Sequence, residues 1–289
     1  MYILDLRKLI EGDILLTAQT AVISKTIRVV SSSDFSHAIL YVGDGSYIHS
    51  NGGGVHSGNT QRLLFHKLKH VQVLRPNNET FAEKACIYAR TQVGKEYSVK
   101  DAINSKNPLP KKKESNRQFC SRLVAQSYEY AGLKLVDNSS YCTPQDIHNS
   151  SDISIVKNIL SKASKEEISF SKSENPLQRQ ADITNKILKS IRKLTGCDIQ
   201  SFDELSQFVI NNPIYDHGIT SIIERSGYLS MWQDEMEKNP WRYNGELFLS
   251  MPMRIEEKRQ QASFELKSAH KQLNLYSYNY NMMQQNLIA

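Results

Sequence analysis

The stretch Gln118-Phe119-Cys120-Ser121-Arg122-Leu123-Val124-Ala125-Gln126-Ser127-Tyr128 constrains this chain more than any other. Leu123, Val124, Ser127 and Tyr128 share one face at helical spacing, which predicts an amphipathic helix from about Cys120 to Ala131-Gly132. Cys120 then stands in the first turn. There, unpaired N–H groups and the positive end of the helix dipole favour a thiolate, the nucleophilic form of cysteine, and can hold an oxyanion. A small, buried, inert residue is the plainer reading of any single cysteine. The argument against it comes from the residues upstream.

Gly12-Asp13 opens the apolar run Ile14-Leu15-Leu16, a first core strand, and the spacing over Thr20–Val30 predicts a helix closed by Ser31-Ser32-Ser33-Asp34. His37-Ala38-Ile39-Leu40-Tyr41-Val42 reads as a buried strand, Gly43-Asp44-Gly45 as a tight turn and Ser46-Tyr47-Ile48-His49-Ser50 as its hairpin partner. Gly52-Gly53-Gly54 breaks the chain before a third strand at Val55-His56, and Leu68 to Leu74 gives a fourth, so the order is that of an antiparallel meander. In this hairpin His37 and His49 fall at the same open end of the sheet, where the two imidazoles can meet. A helix follows over about Glu79 to Val93, stopped by Gly94, and a short one over Val99 to Ile103. The loop Ser105 to Arg117, with Pro108, Pro110 and Lys111-Lys112-Lys113, reads as a solvated connection or as an electrostatic lip over a site. Thr143-Pro144-Gln145-Asp146 is a capped helix start, and Ile153 to Val156 a last strand.

Past residue 160 the pattern changes. A Ser-, Lys- and Glu-rich stretch over 161–180 reads as a linker between a domain at 1–160 and a helical domain at 181–289. Ile183, Ile187, Leu188, Ile191 and Leu194 keep helical spacing up to Gly196, Ser201 to Glu204 is a capping box, and two longer helices are expected at about 219–236 and 252–275, with Trp232 and Trp241 in their core. The length of 289 residues suits one large or two ordinary domains, and 39% hydrophobic with 23% charged residues is globular composition. All of the net charge of +6 lies in residues 1–160, which hold 20 Lys and Arg against 14 Asp and Glu, while 161–289 hold 16 of each. That excess suits an acidic substrate, an anionic envelope or a membrane surface, and equally an ordinary basic surface. No nucleic-acid motif accompanies it.

Cys86, Cys120, Cys142 and Cys197 form no CxxC pair and no zinc spacing, so they read as free thiols with no metal or other cofactor. The first residues carry Asp5, Arg7 and Lys8 inside their apolar run, unlike a signal peptide, and no stretch reaches the ~20 apolar residues of a membrane helix. The expectation is synthesis in the cytoplasm, with any export requiring a specialised secretion machine as partner.

A thiol nucleophile needs a base beside it, and the base needs a third group to hold its ring and tautomer. Cys120, His37 and His49 meet that requirement in the order His, His, Cys. With them, Gly12-Asp13-Ile14-Leu15, Phe35-Ser36-His37 through Gly43-Asp44, Val93-Gly94-Lys95-Glu96-Tyr97, Phe119-Cys120-Ser121-Arg122-Leu123-Val124 and Thr143-Pro144 resemble the circularly permuted papain-like cysteine hydrolases of the NlpC superfamily, which include lecithin:retinol acyltransferase. The resemblance covers residues 10 to 160. It implies an α+β fold, a permuted papain-like antiparallel sheet packed on helices, here followed by an all-helical region that it does not explain. It also implies Cys120 as nucleophile, His37 as base and His49 as orienting group, with Tyr97 near the oxyanion. Gln118, two residues before Cys120, is a further candidate for oxyanion or substrate contact, whereas His56, His66, His70 and His148 match no motif.

The expected activity is a cysteine amidase or peptidase working through a Cys120 thioester on peptide, peptidoglycan or protein, as a secreted bacterial effector would. His49 in place of a carboxylate, together with the Lys111–Lys113 loop, keeps open a fatty acyltransferase or lipid acyl hydrolase with a lipid acyl donor. A catalytically silent binding module is a third reading.

Overall fold

Apolar runs bounded by glycine turns become the strands β1 (Tyr2–Leu4), β2 (Ile14–Thr17), β3 (His37–Tyr41), β4 (Ser46–Asn51), β5 (Gly54–Asn59), β6 (Val71–Pro76), β7 (Ile153–Val156) and β8 (Leu160–Lys162). β2 to β7 form one antiparallel sheet in the order β5-β4-β3-β2-β6-β7, and β1 pairs with β8 in a separate two-stranded ribbon. This computed structural model describes residues 1–18, 34–105 and 115–288. The helix expected over Thr20–Val30 and the Lys111–Lys113 stretch lie outside the described residues.

Both faces of the sheet are covered, which is why β2 is buried along its whole length. On one face Ile14, Leu16, Ala38 and Leu40 pack against Ala85, Cys86 and Ala89 of α1 (Ala82–Thr91) and Cys120, Leu123, Val124 and Tyr128. On the other, Leu15, Ile39, Tyr41 and Val73 pack against Leu4, Leu9, Phe65 and Ile159. Each such Leu or Ile contributes on the order of 1.5–3 kcal/mol by leaving water. A short helix, α2 (Val99–Ile103), precedes α3 (Cys120–Ala131), which ends at left-handed Gly132 (φ 102°) as the sequence predicts. Pro144 opens α4 (Pro144–His148), where Thr143 and Asp146 close a reciprocal capping box.

The Gly12-Asp13 pair has a packing role. Gly12 has φ +94°, and a Cβ there would lie 2.6 Å from the Ala82 side chain and 2.8 Å from the Tyr128 hydroxyl, so α1 and α3 close directly over it. Tyr128 donates its hydroxyl hydrogen to the Gly12 carbonyl. Asp13 is fully buried; its carboxylate accepts Arg75 Nε and Nη2, each at 2.8 Å, and the Ile10 N–H at 2.9 Å.

The first compact unit runs from Met1 to Ser206 and the second from Gln207 to Ala289. The stretch 161–180, expected as a linker, thus falls inside the first unit, where it holds most of β8, all of α5 (Lys165–Lys172) and the start of α6 (Pro176–Thr195). Within that unit α6 buries Ala181, Thr184, Ile187, Leu188 and Ile191. Leu188 presses on Gly94, where a Cβ would meet it at 2.4 Å. Asn185 donates to the Gly53 carbonyl at 2.9 Å, and Arg192 reaches Glu96 at 2.7 Å.

Helix α7 (Phe202–Asn211) runs across the division. The second unit is helical, with α8 (Asp216–Arg225), α9 (Met231–Lys238), α10 (Gly245–Ser250) and α11 (Ile255–Ile288). The single helix expected over 219–236 is split in two because Gly227 turns left-handed (φ 81°) ahead of a 3-10 turn at Tyr228–Ser230. Trp232 is 55% exposed and so not core, while Trp241 lies 6.0 Å, ring to ring, from Phe248. Among the described residues no helix is long and apolar enough to cross a membrane.

Replacing Arg75 by Leu leaves the buried Asp13 carboxylate without its cationic partner. The expected cost is about 3 kcal/mol, read as a lower urea midpoint with an unchanged slope.

Candidate active site

The first turn of α3 presents its N–H groups as the sequence leads one to expect. Its N-cap, Phe119, is extended and makes no side-chain cap, and the first hydrogen bond of the ladder is Leu123 N–H to Phe119 O at 3.0 Å. The N–H groups of Cys120, Ser121 and Arg122 therefore precede the ladder. The Cys120 residue is only 4% exposed. Burial pushes its thiol above the ordinary value, and the N–H groups of Ala38, Ser121 and Cys120 itself offset only part of that. The thiolate expected from the helix dipole is outweighed here by desolvation, and the resting group is a thiol.

Arg122 anchors this turn. Its buried guanidinium donates to the Ser140 carbonyl at 2.8 Å, to Asp101 at 3.0 Å and to the Arg117 carbonyl at 3.0 Å, and it stacks on the Phe119 ring at 4.6 Å and the Tyr141 ring at 5.2 Å. Next to it, Ser121 donates to the Cys142 carbonyl at 2.7 Å.

Across from the helix, the register of β3, β4 and β5 brings three imidazoles into a row. His49 on β4 stands opposite Ile39, two residues from His37, and directly opposite His56 on β5. His37 Nε2 lies 2.8 Å from His49 Nδ1, and His49 Nε2 lies 3.2 Å from His56 Nε2. Tyr47 meets the His49 ring edge-on at 5.0 Å. Burial drives the His37 imidazole down to about 4, with the His56 charge adding to the effect. His49 is driven well below its ordinary value, by burial first and by the charges of His37 and His56 after it. Both inner rings are therefore neutral at neutral pH.

The structure brings His37 and His49 into direct contact and Cys120 to the amide of Ala38, the residue after His37. Along β3, Ala38 and Leu40 belong to the cluster that holds Cys120, whereas Ile39 and Tyr41, in phase with His37, belong to the other. His37 is the first residue of the strand. Among the described residues no hydrogen bond joins the sulfur to the His37 ring.

Tyr97 is close enough to Cys120 for the cysteine charge to raise its phenol, after burial, and it keeps its proton. Gln118 forms a parallel bridge with Tyr97 and gives its amide hydrogens to Gln92 at 3.3 Å and Gln126 at 2.9 Å. With both donors used, Gln118 has no hydrogen left for an oxyanion. His148 packs on Phe35 and meets Gln145 and Asn149, apart from this row.

His56 is the residue that sequence reasoning passed over. The signal was present: a hairpin closed at Asn51–Gly54 must pair position 49 with position 56. Among the described residues no group of three or more His, Cys, Asp or Glu is arranged to hold a metal. The three imidazoles instead turn their nitrogens on one another.

The family described as "Permuted papain-like amidase enzyme, YaeF/YiiX, C92 family" matches residues 8–168. A solved structure, described as the metalloprotein YiiX from Escherichia coli O157:H7, is 18% identical over 50% of this chain and 95% of its own, with a TM-score of 0.32. No curated protein matches.

The half-buried His37 imparts a pH dependence whose sign is fixed. Its ring takes a proton near 6.5 when unfolded and near 4 when folded, so between those values the unfolded chain binds more protons and stability falls as pH falls. Urea midpoints compared at pH 7.5 and 4.5 should show a loss of up to about 3 kcal/mol from this residue, and His37→Gln should flatten the curve.

Proposed function

We propose that this chain, which belongs to the permuted papain-like amidase family over residues 8–168, cleaves peptide amides through a thioester on Cys120. Family membership makes it a papain-like hydrolase of the amidase type. What carries the assignment to Cys120 is the placement of its sulfur. It sits at the first position of α3 and at the Ala38 amide, one residue from an imidazole that is itself gripped by a second imidazole at 2.8 Å.

The resting pair is a neutral thiol and a neutral imidazole, so His37 works as a general base that removes the proton as attack proceeds. His37 Nε2 is engaged with His49, which leaves Nδ1 for the thiol. Substrate binding must draw ring and sulfur together, a tightening that catalytic hydrogen bonds commonly undergo in the Michaelis complex. The sulfur then adds to the carbonyl carbon, and the oxyanion is received by the N–H groups of the first turn of α3 and by the protonated Tyr97 hydroxyl. Collapse expels the amine, which takes its proton from His37. Water attacks the thioester with His37 again as base, releasing the acid and the thiol.

Acyl transfer to an acceptor other than water shares the first half of this sequence. The presence of His49 where a carboxylate would hold the ring more tightly favours keeping it as a second reading.

Cys120→Ala should abolish turnover of peptide and cell-wall peptide substrates with the melting temperature nearly unchanged, and His37→Ala should lower kcat by at least 100-fold. Intact-protein mass spectrometry after a brief incubation should show an acyl adduct on Cys120 that hydroxylamine removes. Full activity in Cys120→Ala would overturn the proposal. A fatty acyl mass appearing on a target, with no bond cleaved, would favour the second reading.

A further inference from the structure

We propose that α11 pairs with the α11 of a second copy of this chain as an antiparallel two-stranded coiled coil, the two helices overlapping along their whole length. The proposal stands apart from the chemistry of the first unit, because α11 lies entirely within the second.

A helix on the surface of a helical unit ordinarily turns its apolar stripe inward. In α11 the stripe is turned out. Among the described side chains of this helix, the partly covered ones are Glu257, Lys258, Gln261, Glu265 and Ser268. Lys258 donates to the Leu249 carbonyl of α10, and Glu265 accepts from Arg242 at 3.0 Å. By contrast Ile255, Arg259, Ala262, Leu266, Ala269 and Leu273 are all exposed, with Ile255 at 56%, Leu266 at 59% and Leu273 at 60%. These six recur at alternating steps of four and three residues, and the sequence carries the same steps on through Tyr276, Tyr280, Met283 and Leu287. Single exposed apolar residues are ordinary on a protein surface, whereas a seam in heptad register along a whole helix is the mark of a coiled coil.

The order of sizes along the seam sets the direction. In a parallel pair in register each residue meets its own copy. That would set Arg259 against Arg259, leave two layers of Ala on Ala, and crowd Tyr on Tyr in two more. With the helices antiparallel and fully overlapped, Ile255 shares a layer with Leu287, Arg259 with Met283, Ala262 with Tyr280, Leu266 with Tyr276 and Ala269 with Leu273. Each Ala then faces a large side chain, which is how a seam fills without voids. The one cation lies beside a flexible thioether, with its stem on the seam and its head free to reach water.

This self-complementarity identifies the occupant as a second copy, because a foreign helix has no reason to carry the same order of sizes in reverse. The contact is isologous and closes at two chains. Its size is sufficient. A helix of 34 residues is about 51 Å long, and a strip one helix diameter wide, about 10–12 Å, covers roughly 500–600 Å² per copy. The two copies together reach the ~1,000 Å² from which specific interfaces begin.

Sedimentation velocity of the full chain across the micromolar range should give a species of twice the chain mass. Leu266→Glu combined with Leu273→Glu alters positions that are exposed within one chain, so the circular dichroism of a folded protein should be kept while the dissociation constant rises on the order of 100-fold or more. Disulfide formation reads the direction, in a Cys197→Ser background because Cys197 is exposed. Ala262→Cys and Tyr280→Cys chains, mixed and left to exchange under mild oxidation, should crosslink to each other. Neither should crosslink alone, since like positions would stand about 27 Å apart along the axis, far beyond disulfide reach. Crosslinking of Ala262→Cys with itself would show a parallel pair and overturn the proposal. A chain of single mass throughout, or a dimer indifferent to the two glutamates, would overturn it as well, and single mass together with binding to uncharged lipid vesicles would assign the seam to a membrane surface instead.

Discussion

Burial of one guanidinium fixes where α3 begins. Arg122 has almost no contact with water, and an unpaired cation in that position would cost several kcal/mol, so the surroundings must satisfy it. They pair its Nε with the Ser140 carbonyl and its Nη1 with Asp101 and the Arg117 carbonyl, and lay the Phe119 and Tyr141 rings against its faces, while Nη2 has no hydrogen-bond partner among the described residues. Those groups come from the chain just before the helix, from α2 and from the segment leading into α4. The turn that carries Cys120 is therefore clamped from three directions in sequence, and the position of the sulfur follows from contacts two residues away.

The electrostatics of the site follow from how thoroughly it is enclosed. Helix N–H groups and the Ala38 amide favour a charged sulfur, but removing it from water works against charge more strongly, and the same burial depresses both His37 and His49. The result is a set of neutral groups whose hydrogen bonds fit them to exchange protons without first holding an ion pair. An enclosed site of this kind makes little use of the helix dipole until a polar carbonyl enters.

Much of this was legible before any coordinates. Gly43-Asp44-Gly45 fixed the hairpin that brings His37 beside His49, Leu123, Val124 and Tyr128 marked the buried face of α3, and Gly132 marked its end. What stayed hidden depends on contacts distant in sequence. His56 lacked a motif and needed the register of a second hairpin, and the engagement of the Gln118 amide with Gln92 and Gln126, which bears on its candidacy for oxyanion or substrate contact, depends on residues 26 and 8 positions away. The Ser- and Lys-rich composition of 161–180 signalled a linker, yet that stretch holds most of β8, α5 and the start of α6. Composition reports solvent exposure, which these elements share with true linkers. Trp232 shows the converse, a large apolar side chain that composition assigns to a core and the fold leaves in water.

Helix α6 starts after the family match ends, and it touches the segment that leads toward the candidate site. Leu188 fills the space left by the missing side chain of Gly94, Arg192 holds Glu96, and Gln200 takes the Glu96 amide hydrogen at 3.1 Å; Tyr97 follows at once. A gene shortened to the matched 8–168 stretch would encode every proposed reactive group and still lack the buttress behind them. The piece of chain that keeps the candidate site's surroundings intact is thus longer than the matched stretch and reaches at least to Gln200.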